Sequence, residues 1–148
     1  LTDIANSLRQ AGFSDIVMIG DSGGNQRGMA NVADKLGQSW QGEATRIHFI
    51  REFYDPGLVE TEQYTEPDLG VAQSADDGYH DDIWVTAMMM VTDPEQVRYQ
   101  QRVEAGLASI NGVAITPLAD TIQLGQEMIQ FRARYTAEAI RRALSTGK

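Results

Sequence analysis

The order of a strand, a glycine-rich turn, a helix and a second strand constrains the fold of this chain more than any other feature. Residues 16–19 (IVMI) form a short, unbroken apolar run, which is typical of a parallel-sheet strand buried on both faces. The turn 20–25 (GDSGGN) and a helix with apolar residues at helical spacing, ending near Gln38, lead to a second strand at 46–50. Parallel strands need such a crossover, which is normally right-handed. The pattern therefore predicts a βαβ unit and an α/β fold class.

Outside this unit, the pattern predicts helices separated by one irregular region. Residues 1–11 carry apolar residues at helical spacing, and Gly12 is a typical helix stop. Residues 53–79 are acidic, contain two prolines and show no sustained period, which predicts a functional or flexible loop.

Further helices are predicted in the second half of the chain. Asp81 and Asp82 precede an apolar helix, and their charges suit its positive end. Asp93 and Pro94 are residue types preferred at the N-cap and first position of a short helix. The last helix begins at Thr116-Pro117 by the same logic and runs to about residue 144. Its apolar face is predicted to comprise Leu118, Ile122, Ile129, Ile140 and Leu144.

Composition excludes several classes of function. The 148 residues are 42% hydrophobic, which suits one domain or most of one. The formal charge of −9 argues against a nucleic-acid partner, which requires clustered Lys and Arg. The absence of cysteine excludes disulfides, Cys-bound zinc and thiol catalysis, and suits either redox compartment. Four arginines near the C-terminus are predicted to form a solvated helix face: Arg132, Arg134, Arg141 and Arg142.

No membrane partner is expected from the sequence. The longest apolar stretch, residues 83–91, is too short to span a bilayer. A soluble chain is therefore expected, either cytoplasmic or exported behind a preceding leader.

The turn at residues 20–25 is the best candidate site. In α/β proteins, ligands bind beyond the carboxyl end of a strand, where the following helix presents its positive end. Glycines 20, 23 and 24 are expected to let the backbone bend sharply and approach a ligand closely. An ordinary turn does not need Asp21, Ser22 and Asn25 in addition, so their presence favours a functional role.

Two serine-hydrolase interpretations compete for this turn. The string GDSGG matches the nucleophile loop of chymotrypsin-like proteases, but both histidines of this chain follow Ser22 and the surroundings are α/β, so that match is rejected. The turn also resembles the first block of GDS-type esterases and lipases, with His80 as the base and Asp77 orienting it. In that family the Asp and His lie near the C-terminus, whereas 68 residues follow His80 here (148 − 80).

A third interpretation covers nearly the whole chain. The order of Gly-Phe, strand, turn and helix resembles the creatininase family, whose NGHGGN turn aligns with residues 20–25 without a gap. The family's later His, apolar helix, Pro and Val find counterparts in His80, the helix from residue 83, Pro94 and Val97. The chain is thus expected to be the C-terminal part of one creatininase-like domain, residues 1–148, lacking its first strands. Such a chain would expose the sheet edge or face that those strands cover.

This resemblance implies a three-layer α/β/α fold with a mostly parallel sheet. It also implies hydrolysis of a carbon–nitrogen bond, often in a small cyclic amide, by a divalent-metal enzyme. The family's metals lower the pKa of a bound water and polarise the amide carbonyl. Zinc, manganese or magnesium is the expected cofactor, and a homo-oligomer is the expected assembly.

The chain departs from the family pattern at two positions. The metal-binding His of the turn aligns with Ser22, and a Glu further on aligns with Val85, which binds no metal. Carboxylates are therefore expected to replace them, with the candidate metal ligands Asp21, Asp81 and Asp82. The catalytic candidates are His80 and Ser22, and the substrate-binding candidates are Gly23, Gly24, Asn25 and Trp84.

Two further possibilities follow from the same residues. The substitutions at Ser22 and Val85 permit a catalytically inactive family member that keeps the fold for assembly or ligand binding. His48, which lies within a strand, is expected to be a hydrogen-bonded structural residue.

Overall fold

The computed structural model describes residues 1–54, 59–72 and 82–146. Its contacts divide the chain into two compact units. Unit 1 consists of Leu1–Leu58 and Arg134–Lys148, and unit 2 consists of Val59–Ala133. The chain is of the mixed α/β class, as predicted, and it is mostly helical. None of the helices in the described ranges is long and apolar enough to cross a membrane.

Unit 1 contains the predicted βαβ unit. Helix α1 (Thr2–Gln10) precedes strand β1 (Asp15–Met18), helix α2 (Gly23–Ser39) and strand β2 (Arg46–Phe49). The two strands pair in parallel, with Ile16 opposite Ile47 and Val17 opposite His48. The periodic pattern therefore located all four elements to within a few residues.

The core of unit 1 lies on one face of this two-stranded sheet. Buried Ala5 of α1 and Leu36 and Trp40 of α2 pack with Ile16 of β1. The expectation that β1 is buried on both faces is wrong within the described residues, because Val17 is 36% exposed and Ile19 is 47% exposed. Only the face that carries Ile16 is covered by α1 and α2.

Unit 2 is built from shorter elements. Helix α3 (Val59–Gln63) continues into a π-helical turn (Tyr64–Asp68), and helices α4 (Ile83–Thr92) and α5 (Tyr99–Glu104) follow. Strands β3 (Ser109–Ile110) and β4 (Val113–Ala114) form an antiparallel hairpin. Their core consists of Ile83, Met90, Ile110 and Ile115.

Part of the region predicted to be irregular is helical. Thr61 and Thr65 of this region are buried, and the ring of Tyr64 stacks on Phe131 with centroids 4.2 Å apart. Tertiary packing on the last helix therefore orders a segment whose own pattern shows no period. Residues 55–58 and 73–79 of the predicted loop lie outside the described residues.

Helix α6 (Leu118–Ser145) supplies residues to both units. The prediction that Ile129 belongs to its apolar face is wrong, since Ile129 is 42% exposed while Met128 is fully buried. The buried residues Thr121, Gly125 and Met128 are spaced by four and three positions, which is the stripe of a helix packed on one side. Ile129 follows that stripe by one residue and therefore points away from it.

Candidate active site

The glycine-rich turn lies at the carboxyl end of β1, but it is shorter than predicted. Ser22 is the N-cap residue of α2, with an extended backbone (φ −145°, ψ 131°), and Gly23 already begins the helix. Gly23, Gly24 and Asn25 are therefore the first turn of α2 and not part of a loop. Because carboxyl ends of parallel strands meet at one edge of a sheet, this turn lies beside the chain that leaves β2.

Two glycines of the turn, Gly20 and Gly23, lie against the ends of neighbouring side chains, whereas Gly24 does not. Among the described residues, positive φ occurs at glycines elsewhere and at none of these three, and the backbone bends at Asp21. A Cβ atom on Gly20 would lie 2.5 Å from Cε of buried Met29. One on Gly23 would lie 2.8 Å from the Tyr54 hydroxyl oxygen. Both distances are too short for a carbon atom, so a side chain at either position would require the end of the Met29 or Tyr54 side chain to shift.

Gln26 braces the turn from within α2. Its Nε2 donates hydrogen bonds to the carbonyl oxygens of Gly20 at 2.9 Å and Ser22 at 2.8 Å. These bonds fix the backbone between β1 and α2, so Gln26 positions the residues on either side of it. Sequence reasoning missed Gln26, although a polar residue directly after the GDSGGN string is a usable signal.

The polar side chains of the turn face outward. Asp21, Ser22 and Asn25 are all exposed, and no described residue forms a hydrogen bond with any of these three side chains. Ser22 does not cap α2 with its hydroxyl, and the first turn of α2 has no acidic residue. No side chain of the N-cap or of the first turn therefore caps or neutralises the positive end of α2, which favours an oxygen ligand.

Tyr54 reaches the same turn from β2. The Ile50 amide donates to the Met18 carbonyl oxygen at 3.0 Å, after which a 3₁₀ turn (Arg51–Phe53) leads to Tyr54. The Tyr54 hydroxyl then lies against the backbone of Gly23. Sequence reasoning did not select Tyr54, although a tyrosine just beyond the carboxyl end of a parallel strand lies where α/β ligands bind.

A second group of predicted residues lies in unit 2. The Asp82 carboxylate is 3% exposed and accepts hydrogen bonds from Trp84 Nε1 at 3.2 Å and Asn111 Nδ2 at 3.3 Å. Asp82 is the N-cap residue of α4, yet its side chain makes no capping bond. The Trp84 ring is 7% exposed, and the Arg132 guanidinium lies 5.2 Å from the ring centroid. Asp82 is therefore oriented by its neighbours within unit 2.

Two members of this group were not selected from the sequence. Asn111 and Gly112 have φ of 47° and 84°, the signs that a type I′ hairpin turn requires, and the Asn-Gly dipeptide is a strong signal for such a turn. Arg132 was assigned to a solvated face, and that prediction is wrong, because its guanidinium packs on Trp84. The attraction between a cation and an indole ring, together with burial of the aliphatic stem, explains the difference.

Comparison with known proteins identifies the family. A family model described as creatinine amidohydrolase matches residues 1–140. The chain belongs to the creatininase family. The family predicted from the sequence is therefore confirmed, and membership indicates a hydrolase that acts on carbon–nitrogen bonds. The comparisons with curated proteins and with solved structures gave no match.

Creatininase-family members generally use a divalent metal, which raises the question of whether the candidate ligands of this chain can hold one. Such an ion needs several carboxylate or imidazole ligands. The described residues contain no group of three His, Asp or Glu side chains that could hold one. Asp21 provides one open carboxylate, whereas Asp82 is committed to Trp84 and Asn111. His80, Asp81 and Asp77 lie outside the described residues, so the described ligands alone do not form a metal site.

The other histidine of this creatininase-family chain has a structural partner. A carboxylate only accepts hydrogen bonds, so His48 donates from Nε2 to Asp15 Oδ1, at 2.9 Å. Arg46 Nε donates to the same oxygen at 2.9 Å, and Arg46 Nη2 donates to the Leu144 carbonyl oxygen at 3.1 Å. The His48 hydrogen bond, followed by the charge and hydrogen bond of Arg46, lowers the pKa of Asp15, although burial opposes this.

A cleft of about 360 Å³ lies at the other end of α2. It is lined by Trp40, the chain that follows it, and Arg46 and His48 of β2. Helix α2 begins at the candidate turn and ends at this cleft. The length of the helix therefore places the turn and the cleft roughly 25 Å apart. None of the predicted site residues lines this cleft.

Proposed function

We propose that this chain carries the turn site of a metal-dependent amidohydrolase, which hydrolyses the carbon–nitrogen bond of a small cyclic amide. The observation that carries the proposal is the convergence at one sheet edge of an exposed carboxylate, Asp21, and the amino end of α2, which has no side-chain cap. Membership in the creatininase family supports the reaction class. Both features occur where α/β enzymes bind substrate.

The amino end of α2 suits the carbonyl oxygen of an amide. As water adds to the carbonyl carbon, negative charge develops on that oxygen, and fixed backbone N–H groups stabilise it without reorganisation. The first amides of α2 belong to Gly23 and Gly24, and the space beside Gly24 is open, since its Cβ would make only an ordinary contact with Ser22. Asn25, one residue further, has both a donor and an acceptor with which to hold a neighbouring amide group of the ring.

We assign contact with the attacking water or a metal to Asp21, and proton transfer to His80. The exposed Asp21 carboxylate accepts a hydrogen bond from the attacking water or provides one oxygen ligand to a metal. His80 carries the proton to the leaving nitrogen, a role for which imidazole is suited near neutral pH. When bound, a divalent ion supplies a low-pKa water and polarises the carbonyl. A carboxylate in place of the family's histidine favours manganese or magnesium over zinc.

One observation keeps a serine esterase as the second candidate. The Ser22 hydroxyl lies at a strand-to-helix junction, is exposed and does not cap α2. An exposed serine at such a junction is a suitable nucleophile if a base reaches it. In that mechanism His80 would be the base and Asp77 would orient it.

Metal content and serine labelling distinguish these proposals. We would measure metal by elemental analysis in the wild type, in Asp21→Asn and in Asp34→Asn, which changes an exposed carboxylate of α2 outside the turn. Near-stoichiometric metal that falls in Asp21→Asn but not in Asp34→Asn supports the metal enzyme. Wild type without metal, with Ser22 labelled by a fluorophosphonate, would support the esterase. Neither metal nor labelling would indicate an inactive scaffold.

A further inference from the structure

The side chain of Tyr54 lies directly against Gly23, at the start of α2. A Cβ atom on Gly23 would lie 2.8 Å from the Tyr54 hydroxyl oxygen and 3.5 Å from its Cζ. The oxygen, and not the ring, therefore occupies the space beside Gly23. A side chain at position 23 would require the end of the Tyr54 side chain to shift.

The Tyr54 hydroxyl is also available for a ligand. The side chain is half-buried, and no described residue accepts a hydrogen bond from the hydroxyl. The hydroxyl oxygen is not one of the buried side-chain atoms without a partner among the described residues, so it is open to water or to a ligand. The nearest backbone is the first turn of α2, the same turn at which we place the substrate carbonyl.

We propose that the Tyr54 hydroxyl is a substrate-binding group that donates a hydrogen bond to the carbonyl oxygen of the amide at the α2 turn. This inference rests on the proposed function for the location of the substrate, and it adds a residue and a donor that the family resemblance did not supply. It also gives a reason for glycine at position 23, since the absence of a side chain there leaves room for the hydroxyl.

The contact itself is tested by a pair of substitutions. Gly23→Ala places a methyl group against the Tyr54 oxygen, so we expect its melting temperature to fall. Tyr54→Phe removes the oxygen and leaves Cζ at an ordinary contact distance of 3.5 Å from the new methyl group. The double variant should therefore regain most of the lost stability. Equal losses in the single and double variants would contradict the contact.

The binding role is tested on the full chain by NMR. Creatinine and 2-pyrrolidinone, as probes, are titrated into wild type, Tyr54→Phe and Tyr99→Phe while the Gly23 and Gly24 amide signals are followed. Tyr99 is the matched control, a partly buried tyrosine that packs on the core of unit 2. Loss of one neutral hydrogen bond should weaken probe binding about fivefold to tenfold in Tyr54→Phe and leave Tyr99→Phe unchanged.

Binding and turnover separate this inference from the proposed function. Probe binding at the Gly23 and Gly24 amides that weakens in Tyr54→Phe supports the inference whether or not the probe is hydrolysed. Equal binding in wild type and Tyr54→Phe, or no response at these amides, overturns it even if the wild type hydrolyses an amide. Absence of turnover alone counts against the proposed function only.

Discussion

At the scale of single residues, Asp15 connects three parts of unit 1. Its Oδ1 atom accepts from Arg46 and His48, and Arg46 also reaches the Leu144 carbonyl oxygen near the end of α6. These hydrogen bonds lower the pKa of Asp15 below its ordinary value of 3.8. The charged carboxylate is thus favoured by the fold, so its deprotonation stabilises the native state.

This arrangement predicts a defined pH dependence of stability. Because the folded pKa of Asp15 is lowered, its contribution is fully present above the ordinary pKa of 3.8 and is lost as pH falls through the folded pKa. In urea unfolding at neutral pH, Asp15→Asn should lower the free energy of unfolding by about 1–2 kcal/mol, because hydrogen bonds to a charged group are broken. Below pH ~4 the difference from wild type should shrink. The exposed control is Asp34→Asn. If the free energies of unfolding of wild type and Asp15→Asn differed by the same amount at all pH values, this role of Asp15 would be contradicted.

At the scale of elements, the approach of α4 and α6 depends on Gly125. A Cβ atom there would collide with the Ala87 carbonyl oxygen and lie 2.7 Å from Val91 Cγ2. Glycine normally weakens the interior of a helix. Its presence in α6 is explained because α4 packs directly on the α6 backbone at this position.

Gly125→Ala should therefore destabilise the chain although alanine is the better helix former. We expect a loss of about 2 kcal/mol or more in the free energy of unfolding, because backbone atoms must move to admit the methyl group. Gly28→Ala in α2 is the matched control, since its Cβ would meet nothing within 4 Å. Gly28→Ala should raise the free energy of unfolding by about 0.5–1 kcal/mol, because alanine has the higher helix propensity. Equal effects of the two substitutions, measured by urea unfolding, would refute the packing explanation.

The elements also explain which features the sequence could predict. The βαβ unit was predictable because its apolar periods are local and its turn residues lie between them. The helical segment around Tyr64 was not, because its order comes from stacking on Phe131, 67 residues later (131 − 64). Tyr54 was missed for a similar reason, since its contact with Gly23 depends on the pairing of β1 with β2. The Asn111-Gly112 hairpin, in contrast, carried a local signal that was overlooked.

At the scale of the whole molecule, β1 has an open edge among the described residues. The Ser14 and Met18 carbonyl oxygens accept from the amides of Arg46 and Ile50, so the backbone of alternate residues points toward β2. The backbone groups of Val17 and Ile19 therefore point away, and both side chains are exposed. An exposed apolar strand edge readily pairs with another chain.

We therefore expect a homo-oligomer in which this edge takes part. Sedimentation velocity should show species larger than the monomer, and Val17→Lys should shift the distribution toward the monomer, because a charge opposes pairing at a strand edge. Leu107→Lys is the control, since Leu107 is 64% exposed in unit 2 and outside any strand. A wild-type monomer, or the same response to both lysines, would argue against this edge.

Hydrolysis of a cyclic amide is the central activity that we propose for this chain. The direct measurement is ring opening of creatinine and 2-pyrrolidinone followed by proton NMR, with manganese, magnesium or zinc supplied, for wild type, Asp21→Asn and Asp34→Asn. We expect turnover by the wild type, a loss of about a hundredfold in Asp21→Asn and little change in Asp34→Asn. Turnover that Asp21→Asn leaves intact, or no ring opening with any of the three metals, would contradict the proposed amidohydrolase site.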